Sequence, residues 1–154
     1  MGDKHVLKLY VDGAAKGNPG EAGIGVVIMD RQGNTLLRLG QYIGRATNNQ
    51  AEYRGLIAGL EEALALGGEE LVVYTDSQLM ERQINGQYRV KDGILKGLHS
   101  RVCHLLRSFR SYRIEHIPRE KNREADRLAS KAASERQETG VRSQESEMKR
   151  QKPE

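Results

Sequence analysis

The sequence predicts an α/β fold: a mixed five-stranded sheet, three antiparallel strands extended by two parallel strands, with helices on both faces. Three observations carry this. Three β-rich runs separated by tight-turn sequences occupy the stretch up to Ile43. The spacing of apolar residues then changes from about two to about 3.6 near Asn48. Two further strand-like runs, Glu70 to Thr75 and Arg113 to Ile117, are each reached through a helix, as parallel crossover units require.

The first strand runs from His5 to Val11, where His5, Leu7 and Leu9 alternate with Val6, Lys8 and Tyr10, and it ends at Asp12-Gly13. Gly17-Asn18-Pro19-Gly20 is turn chemistry. Gly25 to Met29 is the second strand, Arg31-Gln32-Gly33-Asn34 a hairpin turn, and Thr35 to Ile43 the third strand, which together make a meander. Asn48 or Asn49 caps a helix to about Ala65, with Tyr53, Leu56, Leu60, Ala63 and Leu64 as its apolar stripe. Gly67-Gly68 stops it. Leu71-Val72-Val73 centres the fourth strand, and its continuous apolar run suits burial on both faces. Ser77 caps a short helix to about Ile84, broken at Asn85-Gly86. After a loop to Gly93, a helix runs from about Ile94 to Phe109 on Leu95, Leu98, Val102, Leu105 and Leu106. Pro118 closes the fifth strand, and Asn122 caps or precedes a last helix to about Ser134. The expected order is β-β-β-α-β-α-α-β-α.

At 154 residues the chain has the length of one domain, assigned to residues 1–134. Residues 135–154 hold only Val141 and Met148 as large aliphatic side chains. A tail so polar cannot repay its ordering entropy and is expected to be disordered. The formal charge of +4 averages two unlike parts: residues 1–81 carry 7 basic and 11 acidic groups, residues 82–131 carry 13 and 5. A basic half favours polyanions, and local acid clusters favour metals or protons. No stretch approaches the ~20 apolar residues of a membrane span. Met1 to Lys8 lacks the apolar core of an export signal. Cys103 is the single cysteine, which excludes an internal disulfide and points to a reducing, cytoplasmic setting.

Four acids stand out by position. Asp12 ends the first strand, Glu52 lies in the first turn of the first long helix, Asp76 ends the fourth strand, and Asp126 lies near the start of the last helix. If the first and fourth strands are parallel neighbours, Asp12 and Asp76 project from one carboxyl-end edge, where open α/β sheets place ligands. Clustered carboxylates repel unless a cation sits among them. An all-oxygen set points to Mg²⁺ or Mn²⁺ rather than zinc. Two such ions about 4 Å apart can activate a water and stabilise the leaving oxygen in phosphodiester hydrolysis. On spacing alone, the same acids also serve as caps and turn formers.

The chain closely resembles ribonuclease H of type 1. The resemblance rests on four blocks in family order: Tyr10-Val-Asp12-Gly-Ala-Ala-Lys-Gly-Asn18-Pro-Gly20 with Gly23-Ile-Gly25; Thr47-Asn48-Asn49-Gln-Ala-Glu52-Tyr53; Tyr74-Thr-Asp76-Ser77-Gln78; and His116-Ile-Pro118-Arg119-Glu-Lys-Asn122-Arg-Glu-Ala125-Asp126-Arg-Leu128-Ala129. It covers roughly residues 5–134. It implies the ribonuclease H-like fold and an endonuclease that cuts RNA paired to DNA, leaving 5′-phosphate and 3′-hydroxyl ends. Asp12, Glu52, Asp76 and Asp126 match the catalytic, metal-binding carboxylates, which take two Mg²⁺ in the substrate complex, with Mn²⁺ as a substitute. Asn18, Asn49 and Gln78 match minor-groove contacts, with Asn48 adjacent, and Thr47 matches a contact to a DNA-strand phosphate. Amide side chains both donate and accept, so they suit 2′-hydroxyls and base edges without demanding one sequence.

Two features depart from the best-known bacterial pattern. Some members carry a basic handle helix rich in Lys and Trp after the third block. Here Asn85 to Lys91 leads almost directly into the next helix, and the chain has no Trp. This resembles the compact archaeal-like branch, associated with broader substrate use that includes RNA–RNA duplexes. Arg89, Lys91, Arg119 and Lys121 are the leading candidates to replace the handle's contacts. The second departure concerns the catalytic histidine. His116 stands ten residues before Asp126, the matching distance, but it ends an apolar strand, and Pro118 stiffens the segment after it. A strand-end role therefore stays open for it. A monomer is expected. The competing class is a catalytically silent module of the same fold that binds hybrids or double-stranded RNA.

Overall fold

The computed structural model describes residues 5–135. Its elements follow the expected order: β1 (Val6–Gly17), β2 (Gly20–Asp30), β3 (Thr35–Ala46), α1 (Asn48–Ala65), β4 (Glu70–Thr75), α2 (Gln78–Ile84), α3 (Gly93–Leu106), β5 (Ser111–His116) and α4 (Arg123–Ser134). A 3-10 turn at Arg119–Lys121, not anticipated, precedes α4. Glu135 is the C-cap of α4. The rest of the tail, for which the sequence predicts disorder, lies outside the described residues.

The strands form one sheet in the order β3-β2-β1-β4-β5. β1, β2 and β3 pair antiparallel, and β4 and β5 add in parallel. One face carries the main core. Leu7, Leu9 and Val11 of β1, Val26 and Ile28 of β2 and Val73 of β4 pack there against Tyr53, Leu56 and Leu60 of α1, all fully or almost fully buried. α3 adds Val102 and Leu106 to the same cluster. The other face is covered by α4 over β2, β1 and β3. Among the described residues, no helix is long and apolar enough to cross a membrane.

Several bounds differ from the sequence expectation: β2 starts at Gly20 rather than Gly25, β3 runs on to Ala46, α3 ends at Leu106, and β5 spans Ser111–His116. Three further differences bear on the site. β1 does not end at Asp12-Gly13. It continues to Gly17, because β2 runs beside it to the turn, pairing Asp12 with Gly25 and Gly17 with Gly20. The Asn18–Pro19 bond in that turn is cis. α1 is capped by Thr47 rather than Asn48 or Asn49. The Thr47 hydroxyl accepts from the Gln50 amide at 3.1 Å, and the Gln50 side chain accepts from the Thr47 amide at 3.0 Å, a reciprocal capping box. Asn122 occupies the cap position of α4, but its side chain makes no capping bond and turns into the sheet instead.

Candidate active site

The parallel pairing of β1 with β4 ends at Tyr10 and Tyr74, while β1 continues beside β2. Asp12 and Asp76 each stand two residues beyond that last pair. They therefore occupy equivalent positions at the carboxyl end of two adjacent strands, on the sheet face that carries α4. Three close approaches bring the helices in. Gly13 lies against the backbone of Ala51 and Glu52, and Gly55 against the Asp12 carbonyl, which seats the first turns of α1 beside Asp12. Gly25, opposite Asp12, lies against the Ala125 carbonyl, which places Asp126 above the same strand.

One ligand oxygen from each of Asp12, Glu52 and Asp76 lies within 4.8 Å of the other two. Asp12 is only 3% exposed. Burial raises the Asp12 carboxyl from its ordinary 3.8 to about 10, and the charges of Glu52 and Asp76 add to the rise. Burial first, then Asp76, raises Glu52 from 4.5 to about 8. Asp76 is also raised, chiefly by burial, against the pull of the Asn122 hydrogen bond and of Arg119 and His116. Asp126 faces the same cleft at its more open side, with Arg119 at 3.6 Å from its carboxylate. The cleft has a volume of about 400 Å³ and is also bounded by Gly13, Ala14, Ala15, Asn48, Arg119 and Ser130.

This donor set fits a hard divalent cation. The ligands are all carboxylate oxygens, and they lie close enough to repel. Glu52 Oε1 is buried yet has no hydrogen-bond partner, a costly arrangement unless a cation meets it. Burial and mutual repulsion raise their affinity for protons, and a cation among them would favour the charged forms.

Of the amide side chains expected at the substrate, Asn48 lines the cleft. Asn18 is exposed at the β1–β2 turn, and its Oδ1 accepts from the Asn48 amide at 3.0 Å. Asn48 Oδ1 in turn accepts from the Ala15 amide at 3.1 Å. These bonds tie the hairpin tip to the start of α1. Asn49 and Gln78 are exposed in the first turns of α1 and α2. Thr47 spends an oxygen lone pair on the cap of α1. His116 ends β5 opposite Thr75 and is exposed, close enough to influence Asp76. Of the basic candidates, Arg119 alone lines the cleft. Arg89 and Lys91 are exposed on the segment joining α2 to α3. Lys121 is exposed and lines a different cavity, beside Tyr10.

Sequence reasoning misses Asn122 as a site residue. It is 2% exposed, and its Nδ2 donates to the Val11 carbonyl at 2.9 Å and toward Asp76 Oδ2 at 3.4 Å. The Val11 carbonyl lies just past the last parallel pair, so the asparagine replaces a strand partner there and holds Asp76 at the same time. Its one signal is its place four residues before Asp126, which by itself suggests a cap. Ser130, one turn beyond Asp126, is missed as well.

Comparisons with known proteins agree with this geometry. A family profile described as reverse transcriptase-like matches residues 10–132. A curated relative named ribonuclease HI, from Halobacterium salinarum, is 44% identical over 123 residues, covering 80% of this chain and 62% of the relative. A bifunctional protein of Mycobacterium tuberculosis is 47% identical over 125 residues, covering 80% of this chain and 34% of that protein. The chain thus spans less than two thirds of the length of these curated relatives. Among solved structures, the RNase H1 of Halobacterium salinarum superposes with a TM-score of 0.83 at 42% identity, covering 84% of this chain and 98% of that one. LC11-RNase H1, solved in complex with RNA/DNA hybrid, superposes with a TM-score of 0.80 at 43% identity, covering 84% and 97%.

Proposed function

The chain belongs to the reverse transcriptase-like family and, within it, to the type 1 ribonucleases H; from that premise we propose that it cuts the RNA strand of RNA–DNA hybrids endonucleolytically, leaving 5′-phosphate and 3′-hydroxyl ends. The observation that carries the reading is the trio of Asp12, Glu52 and Asp76, the first buried and the other two half-buried, with mutually repelling carboxylates within 4.8 Å. A catalytically silent binding module has no use for such a cluster, because each uncompensated buried acid costs stability and repels a polyanion.

Asp12, Glu52, Asp76 and Asp126 would hold the divalent ions, two Mg²⁺ in the substrate complex, with Mn²⁺ able to substitute. When bound, these ions supply an activated water and neutralise charge at the scissile phosphate. The remaining work falls to the chain's own groups. Asn122 fixes the Asp76 carboxylate through its amide. Arg119, at the open side of the cleft beside Asp126, offers a cation to a phosphate. The Asn18–Asn48 link holds the hairpin tip against the start of α1, so Asn18 and Asn48 sit together, with Asn49 and Gln78 exposed in the first turns of α1 and α2. Such groups read the 2′-hydroxyl and groove shape rather than base sequence. The Thr47 hydroxyl keeps its hydrogen for a DNA-strand phosphate while its oxygen caps α1. His116, exposed at the end of β5, takes up a proton as product leaves. Arg89, Lys91 and Lys121 extend the basic surface to phosphates farther along the duplex.

The same 2′-hydroxyl reading extends to RNA–RNA duplexes, and the protein works as a cytoplasmic monomer whose catalytic unit is residues 1–134. The test compares cleavage of end-labelled RNA–DNA, RNA–RNA and DNA–DNA duplexes in Mg²⁺ and in Mn²⁺. The reading expects metal-dependent cutting of the RNA strand in the hybrid and none of DNA–DNA. A preference for DNA–DNA would overturn it.

A further inference from the structure

Helix α4 leaves part of its sheet face open. The row of residues level with the end of the parallel pairing sets Val27, Tyr10 and Tyr74 in register on β2, β1 and β4. The next row down sets Met29, Lys8 and Val72. Tyr10 and Tyr74 stack, with ring centroids 4.8 Å apart and planes at 25°, and both are half-buried. A cavity of about 180 Å³ opens beside Tyr10, bounded in part by Val27, Met29 and Lys121.

The charge pattern around this pair is lopsided. Arg38 is paired with Glu124 at one margin, and Arg113 with Glu115 at the other. Lys8 and Lys121 have no ion-pair partner among the described residues. Two aromatic rings on adjacent central strands, flanked by Lys8 and Lys121, match the way sheet surfaces stack unpaired bases and hold their phosphates. The location says which strand would arrive. Tyr10 and Tyr74 precede Asp12 and Asp76 by two residues on the same strands and the same face, a rise of roughly 6.6 Å. Asn122 joins the two regions, since it bonds Asp76 and also lines the cavity beside Tyr10. The strand whose phosphate enters the carboxylate cluster is therefore the one that can continue onto the tyrosines.

We propose that this open sheet face binds single-stranded RNA, the unpaired tail that continues the RNA strand of a hybrid past the cut site. The identity of the strand rests on the ribonuclease reading; the stacking and charge chemistry does not. The surface would favour tailed hybrids over blunt ones and keep the enzyme near the unpaired ends of its substrate.

Two measurements on the full chain test this separately from catalysis. The first is anisotropy of a labelled oligouridine RNA, without DNA and without divalent metal. Binding at low salt is expected, weakened about tenfold by Tyr74→Leu, the effect of losing one stacked base, and weakened also by Lys8→Glu. The second compares cleavage of a blunt hybrid with hybrids carrying an RNA tail or a DNA tail. The wild type should show a lower KM for the RNA-tailed hybrid, and both variants should lose that advantage while cutting the blunt hybrid normally. Lys8→Glu alters a side chain outside the core, so it keeps the test decisive if Tyr74→Leu fails to fold. Unchanged oligouridine binding by Lys8→Glu, or an equal gain from a DNA tail, would overturn the proposal. Oligouridine binding with no hybrid cleavage would overturn the ribonuclease reading and leave the RNA-binding face standing.

Discussion

Gly13 lies so close to Ala51 that a Cβ on the glycine would come within 2.2 Å of the Ala51 carbonyl carbon. That contact sets the distance between β1 and α1 at the point where Asp12 and Glu52 must meet. Gly13→Ala would push α1 away from the strand, since the atom it strikes is backbone and cannot swing aside. The expected cost is roughly 1–3 kcal/mol of stability, the usual range for overpacking. Activity should fall further than stability alone explains, because Glu52 leaves the trio. Chemical denaturation paired with turnover at saturating metal checks both.

The crowded carboxylates also predict a pH dependence of stability. In the metal-free protein, Asp12 and Glu52 bind protons more tightly than in the unfolded chain, at about 10 and about 8 against 3.8 and 4.5. The folded state then holds more protons between these limits, so its stability falls as pH rises. The contribution is fully present below the unfolded values and is lost as pH climbs through about 8 and then about 10. A divalent cation replaces those protons. Thermal melts in EDTA should therefore show Tm falling from about pH 5 to about pH 9, and the rise in Tm on adding Mg²⁺ should grow with pH. A Mg²⁺ effect independent of pH would contradict this.

Asn122→Ala should be damaging in two ways. It leaves the Val11 carbonyl without a partner in a buried place and frees the Asp76 carboxylate. The first effect costs about 1–3 kcal/mol, the usual desolvation penalty of an orphaned polar group. The second should lower kcat more than it raises KM if, as proposed, Asp76 acts at the reacting phosphate rather than in duplex binding. Urea unfolding and steady-state kinetics on a hybrid separate the two.

How much of the molecule is legible in its sequence depends on the kind of information each feature needs. The apolar spacing of α1 and the apolar run of β4 mark their elements within a residue or two, because helix and strand periods are local, although β4 is not buried on both faces as that run suggests: Leu71, Val73 and Thr75 are buried, while Val72 and Tyr74 are half-buried. The four acids can be picked out by their places at strand ends and helix starts. The end of β1 is harder, since Asp12-Gly13 looks like a terminus until β2 is seen to pair with it as far as Gly20. Asn122 resembles a cap because its true partners, Val11 and Asp76, are distant in sequence and are brought near only by the sheet. The stacked Tyr10–Tyr74 pair is invisible in the sequence for the same reason. Lys121 groups with Arg119 by proximity in the chain, yet the 3-10 turn that holds both sends one to the cleft and the other to the cavity beside Tyr10.

In the proposed reaction Asp12, Glu52 and Asp76 form a metal-dependent centre for cutting RNA in a hybrid. Asp12→Asn keeps the shape of the most buried member and removes its charge. The most direct measurement follows turnover of a hybrid labelled on each strand in Mg²⁺, for wild type and for Asp12→Asn, with hybrid binding measured in parallel. The wild type should give RNA-strand products with 5′-phosphate ends. The variant should lose at least about a thousandfold in turnover, equivalent to some 4 kcal/mol of transition-state stabilisation, with binding of the hybrid largely retained. Normal turnover by Asp12→Asn, or cleavage of the DNA strand by the wild type, would contradict the proposed reaction.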